Sequence, residues 1–127
     1  MKMKSEVHEV HEESEVIKSS MNVILHAGDA RNLICKAGEK IEDFAFDEAE
    51  FLLKRAQKEL NAAHVLQTHY MQQEASGQSV EYCVLFTHAQ DTLMTVVSEY
   101  NMTIQMLRIV KKIMKVIAGR KEGEIDE

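Results

Sequence analysis

The 127 residues read as an all-α domain, three helices packed antiparallel in an up-down-up bundle. Proline is absent and glycine occurs only 5 times, while Ala, Leu, Glu, Lys, Met and Gln abound, a balance that favours helices over strands and turns. Three long stretches repeat apolar residues at alternating steps of four and three, the spacing of a single helix face. Breaks at Gly38 and at "SGQS" (Ser76 to Ser79) separate them. A chain of this length is one domain and buries a core without metals or disulfides.

Residues 1–14 form a charged, flexible acidic extension ahead of the first helix. His8 and His11 ("HEVH") stand at a spacing that could catch a transition metal on a helix, but a frayed tail is the simpler reading. Helix 1 spans 15–37, with a seam of Val16, Ser20, Val23, Ala27, Ala30, Ile34 and Ala37. Its small residues let a partner helix approach closely. Gly28 costs about 1 kcal/mol against Ala in mid-helix and is read as permitting that approach. Gly38 is the expected stop.

Helix 2 opens at Asp43 as N-cap, with Asp47 and Glu48 placing negative charge in the early turns. Its seam is Ala49, Leu52, Ala56, Leu60, Ala63, Leu66 and Tyr70. Helix 3 runs from about 80 to 118, followed by a flexible tail over 119–127. Its inner seam is Phe86, Leu93, Val97, Tyr100, Ile104, Leu107 and Met114, and a second apolar strip runs through Cys83, Leu85, Ala89, Val96, Met106, Val110 and Ile117. A helix in a lone bundle needs one strip, roughly 100° wide. Two strips point to self-association with helix 3 innermost. "VEYCVLF" also has strand composition, but no second candidate strand exists to pair with it.

A formal charge of −6 and a pI near 5.5 exclude nucleic acid as the main partner, since phosphate neutralisation needs a basic face. The longest apolar run, "YCVLF", is too short to span a membrane, and the N-terminus lacks the apolar core of a signal peptide. The expected compartment is the cytoplasm, with Cys35 and Cys83 as buried free thiols. The basic residues Arg108, Lys111, Lys112 and Lys115 suit the C-terminal end of a helix dipole and read as a solvated face.

The most apolar third of the chain contains "THAQDTLM" (Thr87 to Met94), a histidine, an amide and a carboxylate within one turn. On a helix His88 and Asp91 lie about 60° apart around the axis and one turn apart along it. A neutral imidazole carries one nucleophilic nitrogen, which attacks a phosphoryl group once its tautomer and position are fixed. The structural alternative is a hydrogen-bonded core histidine with Asp91 as its partner. No Glu-x-x-His pair exists for a di-iron bundle, and there is no Gly-rich phosphate loop, Ser or Cys nucleophile motif, or CxxC. A lone helix-borne nucleophile suits a relay between proteins better than small-molecule catalysis.

"HAGDAR" (His26–Arg31), "AAHVLQT" (Ala62–Thr68), "EASG" (Glu74–Gly77) and "HAQDTLMT" (His88–Thr95) occur in this order. Together they resemble the lactose/cellobiose-type enzyme IIA of the bacterial sugar phosphotransferase system, over about residues 16–116. The resemblance implies a homotrimer of three-helix protomers, a nine-helix bundle. It assigns His88 as the phosphorylated residue, receiving phosphate from the phosphocarrier protein HPr and passing it to a cysteine of enzyme IIB, with indirect association with the membrane enzyme IIC. Gln90 and Thr92 would support His88. Asp91 from three subunits would share one divalent metal ion, magnesium by the family's habit, which removes the repulsion of three converging carboxylates.

Where the family usually has a second histidine after this aspartate, the chain has Thr92, which offers a hydroxyl but no titratable proton. "HAQD" with Ala leans towards cellobiose or chitobiose over lactose. Asp29 and Arg31 read as an ion network or as lining for the phosphohistidine pocket; His64 and Gln67 read as satisfied buried polar groups, and His26 and His69 have no assigned role. Two rivals to the relay remain: a non-catalytic trimeric regulatory module on the same scaffold, and a purely structural bundle.

Overall fold

The computed structural model of the chain describes residues 2–77 and 83–126, with side-chain surroundings for 15–77, 83–120 and 123. It consists of α1 (Lys2–Glu42), α2 (Phe46–Ala75) and α3 (Val84–Asp126), with a turn at 43–44 between the first two and no strand among the described residues. Within "VEYCVLF", residues 84–86 open α3 as helix, while 80–82, where the third helix was expected to start, lie outside the described residues. The helix α1 packs on both others, more extensively than α2 and α3 pack on each other. None of the helices, among the described residues, is long and apolar enough to cross a membrane.

Alanine dominates the core. Ala27, Ala30, Ala37, Ala49, Ala56, Ala63 and Ala89 are all at 0% exposure, and Val23, Leu53, Leu60, Leu93, Val96 and Leu107 fill the space between them. Helix axes separated by alanines approach towards the short end of the usual 8–10 Å range, because a methyl group is the only spacer. Such an interface has little room for growth. Ala56→Leu should therefore destabilise the chain by about 1–3 kcal/mol through overpacking, read as a lower urea midpoint with an unchanged slope.

Several boundaries differ from those the sequence suggested. Neither 2–14 nor 119–126 is a separate tail, since the first continues α1 and the second continues α3. With no proline, and no glycine before Gly28, nothing in the leading stretch breaks the helix. The side chains of His8 and His11 lie outside those described.

Gly38 does not stop α1 either. A helical glycine costs about 1 kcal/mol, whereas Ile41, one turn later, is buried in the core, and a buried Ile contributes about 1.5–3 kcal/mol. The helix runs on to collect that burial. It ends where Phe44 takes φ 59, with the Ala45 N–H donating to the Lys40 carbonyl at 2.8 Å and the Phe44 N–H to that of Ile41 at 3.0 Å. This is the Schellman closure, with a phenylalanine where glycine is usual. Asp43 consequently belongs to the exit of α1, its N–H donating to the Glu39 carbonyl, and does not cap α2. That place falls to Ala45, which offers no side-chain cap, while Asp47 and Glu48 supply the negative charge of the first turn.

Three further expectations change. Cys35 and Cys83 are free thiols, but Cys35 is exposed and Cys83 only half-buried. Gly28 is not required for packing within the chain, since a Cβ added there meets nothing within 4 Å. On α3, Ala89 and Val96 belong to the inner core, while Val97, Tyr100 and Ile104 flank it half-buried. The outward apolar strip keeps Met106 and Ile117 from the second strip and adds Met102, Ile109, Ile113 and Val116.

Candidate functional site

The first turns of α3 are anchored from the inside. Ala89, Leu93 and Val96 are fully buried, and at about 100° per residue this fixes His88, Asp91 and Thr95 on the outward side. His88 and Asp91 are both exposed. Beside this turn, the Tyr70 ring meets Phe86 edge-on with centroids 5.6 Å apart, and the Tyr70 hydroxyl lies 3.2 Å from the Ser19 hydroxyl, tying all three helices together.

Neither the His88 nor the Asp91 side chain has a hydrogen bond or ion pair among the described residues. The core-histidine alternative thus fails: the imidazole is not buried, and Asp91 is not its partner. Thr92 is half-buried and donates its hydroxyl proton to the main-chain oxygen of His88 at 2.8 Å. Thr95 does the same to Asp91 at 2.8 Å. These back-bonds are ordinary for helical threonine. They correct the picture of Thr92 as a free donor, because its proton is committed to the backbone and only its lone pairs face outward. Gln90 is half-buried, beside His88 in sequence.

The remaining polar candidates are dispersed. Arg31 grips Glu99 through two hydrogen bonds of 3.0 Å, Nε to Oε2 and Nη2 to Oε1, clamping α1 to α3 two turns beyond Asp91. The hydrogen bond to Glu99 is the largest cause holding the guanidinium above its ordinary value. Arg31 is therefore part of an ion pair and is not brought to His88; Asp29 is exposed and separate. His26 joins Glu59 across α1 and α2 at 2.7 Å, which gives it a bracing role. His69 pairs with Gln73 at 3.2 Å. His64 is exposed rather than buried. Gln67 is buried, but its Oε1 has no partner and its amide meets only the Met71 sulfur at 3.6 Å, so it is not satisfied. The Arg31–Glu99 clamp was missed from the sequence because it depends on the rotation of α1 against α3.

No group of three or more His, Cys, Asp or Glu side chains gathers within one chain among the described residues. The Asp91 side chain has no partner among the described residues, and its helix face continues through Thr95, Ser98 and Met102.

A three-helix bundle that presents an exposed imidazole, its side chain without a partner among the described residues, is the class of protein the fold and the site define. Comparison with known proteins gives the class its family. Residues 18–111 match the model of the PTS system, Lactose/Cellobiose specific IIA subunit, and the chain belongs to that family. It is 35% identical over 99 residues to the PTS system lactose-specific EIIA component of Lacticaseibacillus casei, covering 78% of this chain and 88% of that one. The crystal structure of the PTS cellobiose-specific enzyme IIA from Bacillus anthracis aligns with a TM-score of 0.72 at 30% identity, over 77% of this chain and 90% of the other. A IIA(Chitobiose) solved in complex with HPr, from Escherichia coli, shares the fold with a TM-score of 0.69 at 23% identity, over 78% and 96% of the two chains. The chain is thus an enzyme IIA component of a lactose/cellobiose-type phosphotransferase system.

Proposed function

We propose that His88 is the phosphoryl carrier, loaded by phosphorylated HPr and unloaded by a cysteine thiolate of enzyme IIB, in the cytoplasmic branch that serves a membrane enzyme IIC. The observation that carries the reading is the state of His88: solvent-exposed, unpartnered, and held by a helix whose opposite side is locked into the core. In the loading step one imidazole nitrogen of His88 forms a bond to phosphorus as the P–N bond to the HPr histidine breaks. In the unloading step a P–S bond to enzyme IIB forms as that P–N bond breaks. Both displacements run in line and require positioning more than acid–base help. An exposed ring allows two different proteins to approach it in turn. The sugar never meets this chain, so its identity is not written in these residues.

The working form is a homotrimer with α3 innermost. Two features support it: the outward apolar strip of α3, and Asp91 on that same face without an intrachain partner. Three such carboxylates meeting at a threefold axis fit one hard divalent cation, magnesium by the family resemblance, which offsets most of their charge and couples assembly to metal binding. Gln90 and Thr92 lie close enough in sequence to orient an incoming phosphate. The rival reading, a trimeric regulatory module without transfer chemistry, draws on one observation: Thr92 stands in place of a second imidazole and its proton is tied to the backbone.

Incubation with phosphorylated HPr, followed by peptide mapping under conditions that preserve phosphohistidine, separates the two. One phosphoryl group located on His88 supports the relay. No added mass, or a group located on another histidine, overturns it.

A further inference from the structure

The helix α3 runs on to Asp126, past residue 111 where the family match ends. Lys111 turns back to pair with Glu50 near the start of α2. From 112 to 120 every residue except Met114 is exposed. Two kinds of side chain share this end of the helix. Ile109, Ile113, Val116 and Ile117 are 47%, 52%, 56% and 44% exposed. At about 100° per residue they fall, with Met106, within one sector about 100° wide. Arg108, Lys112, Lys115 and Arg120 are exposed as well, and none has an ion pair among the described residues.

The cations are not set apart from the apolar sector. Lys112 borders it, and Arg120 stands in its middle, one turn past Val116. A single shallow groove is lined by Lys112, Ile113, Val116, Ile117 and Arg120. Nor is the charge balanced locally. Residues 108–120 hold five cations, and no acidic residue occurs between Asn101 and Arg120, in a chain whose formal charge is −6. Acidic residues resume at Glu122, which bounds the surface on that side.

This mixture decides what fits. A dry protein face would strip water from Lys112 and Arg120 without supplying a counter-charge. Nucleic acid would take the cations but leave the aliphatic side chains in water. An anionic lipid surface accepts both. The aliphatic groups enter the boundary between headgroups and acyl chains, while the long stems of Lys and Arg carry their charged ends out to the phosphates. Such a helix lies on the bilayer and does not cross it.

We infer that the end of α3, residues 106–120, is a docking surface for an anionic membrane. Ile109, Ile113, Val116 and Ile117 enter the lipid boundary, and Lys112, Lys115 and Arg120 bind the headgroups. One chain presents the whole surface, so neither the relay nor the trimer is required for it. His88 lies near the opposite end of α3 and stays open to docking proteins.

Flotation of the full chain with lipid vesicles tests this. With phosphatidylglycerol and phosphatidylcholine in equal parts, the expected result is binding that weakens steeply as salt is raised. Vesicles of phosphatidylcholine alone should bind none. Lys112→Gln with Lys115→Gln and Arg120→Gln should weaken binding about a hundredfold, at about fivefold for each cation near the surface. Ile113→Asn with Val116→Asn should weaken it about tenfold or more. All five side chains are exposed, so the urea midpoint should stay where it was. The chain has no tryptophan, so Val116→Trp supplies a single reporter, and its emission should move to the blue as the indole leaves water. Failure of the parent chain to float with the anionic vesicles overturns the inference, and so does equal binding to the neutral ones. Undiminished binding of the asparagine pair, or an unmoved tryptophan emission, reduces the contact to charge alone and overturns the apolar half. Tighter binding to a single-stranded oligonucleotide than to the vesicles gives the cations to nucleic acid. Loss of self-association in the asparagine pair, with no vesicle binding by the parent, gives the apolar sector to another copy. Either result sinks the membrane assignment.

Discussion

His88→Gln is expected to take up no phosphoryl group from phosphorylated HPr, while folding as firmly as the parent chain. The separation of the two effects follows from where the side chain sits. The His88 side chain is exposed and makes no hydrogen bond or ion pair among the described residues, so its removal leaves no buried group unsatisfied and opens no cavity. Substitutions of that kind stay within about 0.5 kcal/mol in stability. Glutamine keeps length and polarity but has no nucleophilic nitrogen, because its amide lone pair is delocalised. Loss of transfer should therefore be complete at any HPr concentration, with the helical circular dichroism and urea midpoint unmoved. Thr92→Ala is the informative companion. Its hydroxyl proton already bonds the His88 carbonyl at 2.8 Å, so deletion should leave uptake within a few-fold, the cost of one helix back-bond at most. Label retained in His88→Gln would remove the imidazole from the mechanism. A collapse in Thr92→Ala would show that the hydroxyl leaves the backbone and donates its proton to the phosphate directly.

The fold was legible because its signal is periodic. Seam positions of α1 and α2 such as Val23, Ala27, Ala30, Ala56 and Leu60 are buried where a four-three spacing places them. On α3 the same rule placed Leu93 and Leu107 inside and Met106 and Ile117 outside, as observed, but assigned Ala89 and Val96 to the outer strip. Two apolar lines on one helix leave the rotation undetermined, and Ala89 and Val96 lie in the core although they are smaller than the residues expected there. Helix ends were less legible still. Gly38 was the obvious stop, but the ending depends on the burial of Ile41 and on Phe44 accepting a left-handed conformation, neither of which is a local property of the sequence. The candidate site was legible as a motif. Its accessibility was not, because the spacing of His88 and Asp91 is the same in a buried pair and in an exposed one. The exposure of Cys35 and the isolation of Gln67 Oε1 follow from the same missing information, the rotation of each helix about its axis.

Chelation is expected to loosen the assembled trimer, and Asp91→Asn to make it indifferent to chelator. Without a cation, three carboxylates brought to one axis repel each other. Two unit charges about 4 Å apart at an effective dielectric near 20 interact with about 4 kcal/mol, and each trimer contains three such pairs. A divalent cation turns these repulsions into attraction, so stripping it from the native protein should shift the subunit equilibrium towards monomer by at least tenfold in sedimentation. Asparagine retains the shape and one carbonyl oxygen but carries no charge. The substituted chain should hold a trimer comparable with the metal-loaded parent, and tighter than the parent in chelator. The order of stability separates causes. If Asp91 is only a surface acid, chelator changes nothing in either protein, and the metal assignment falls. If its carboxylate instead finds a cationic partner on a neighbouring subunit, Asp91→Asn weakens the trimer with and without chelator. Only a shared metal makes the parent sensitive and the asparagine variant insensitive, because only then does the same side chain supply both the repulsion and its remedy.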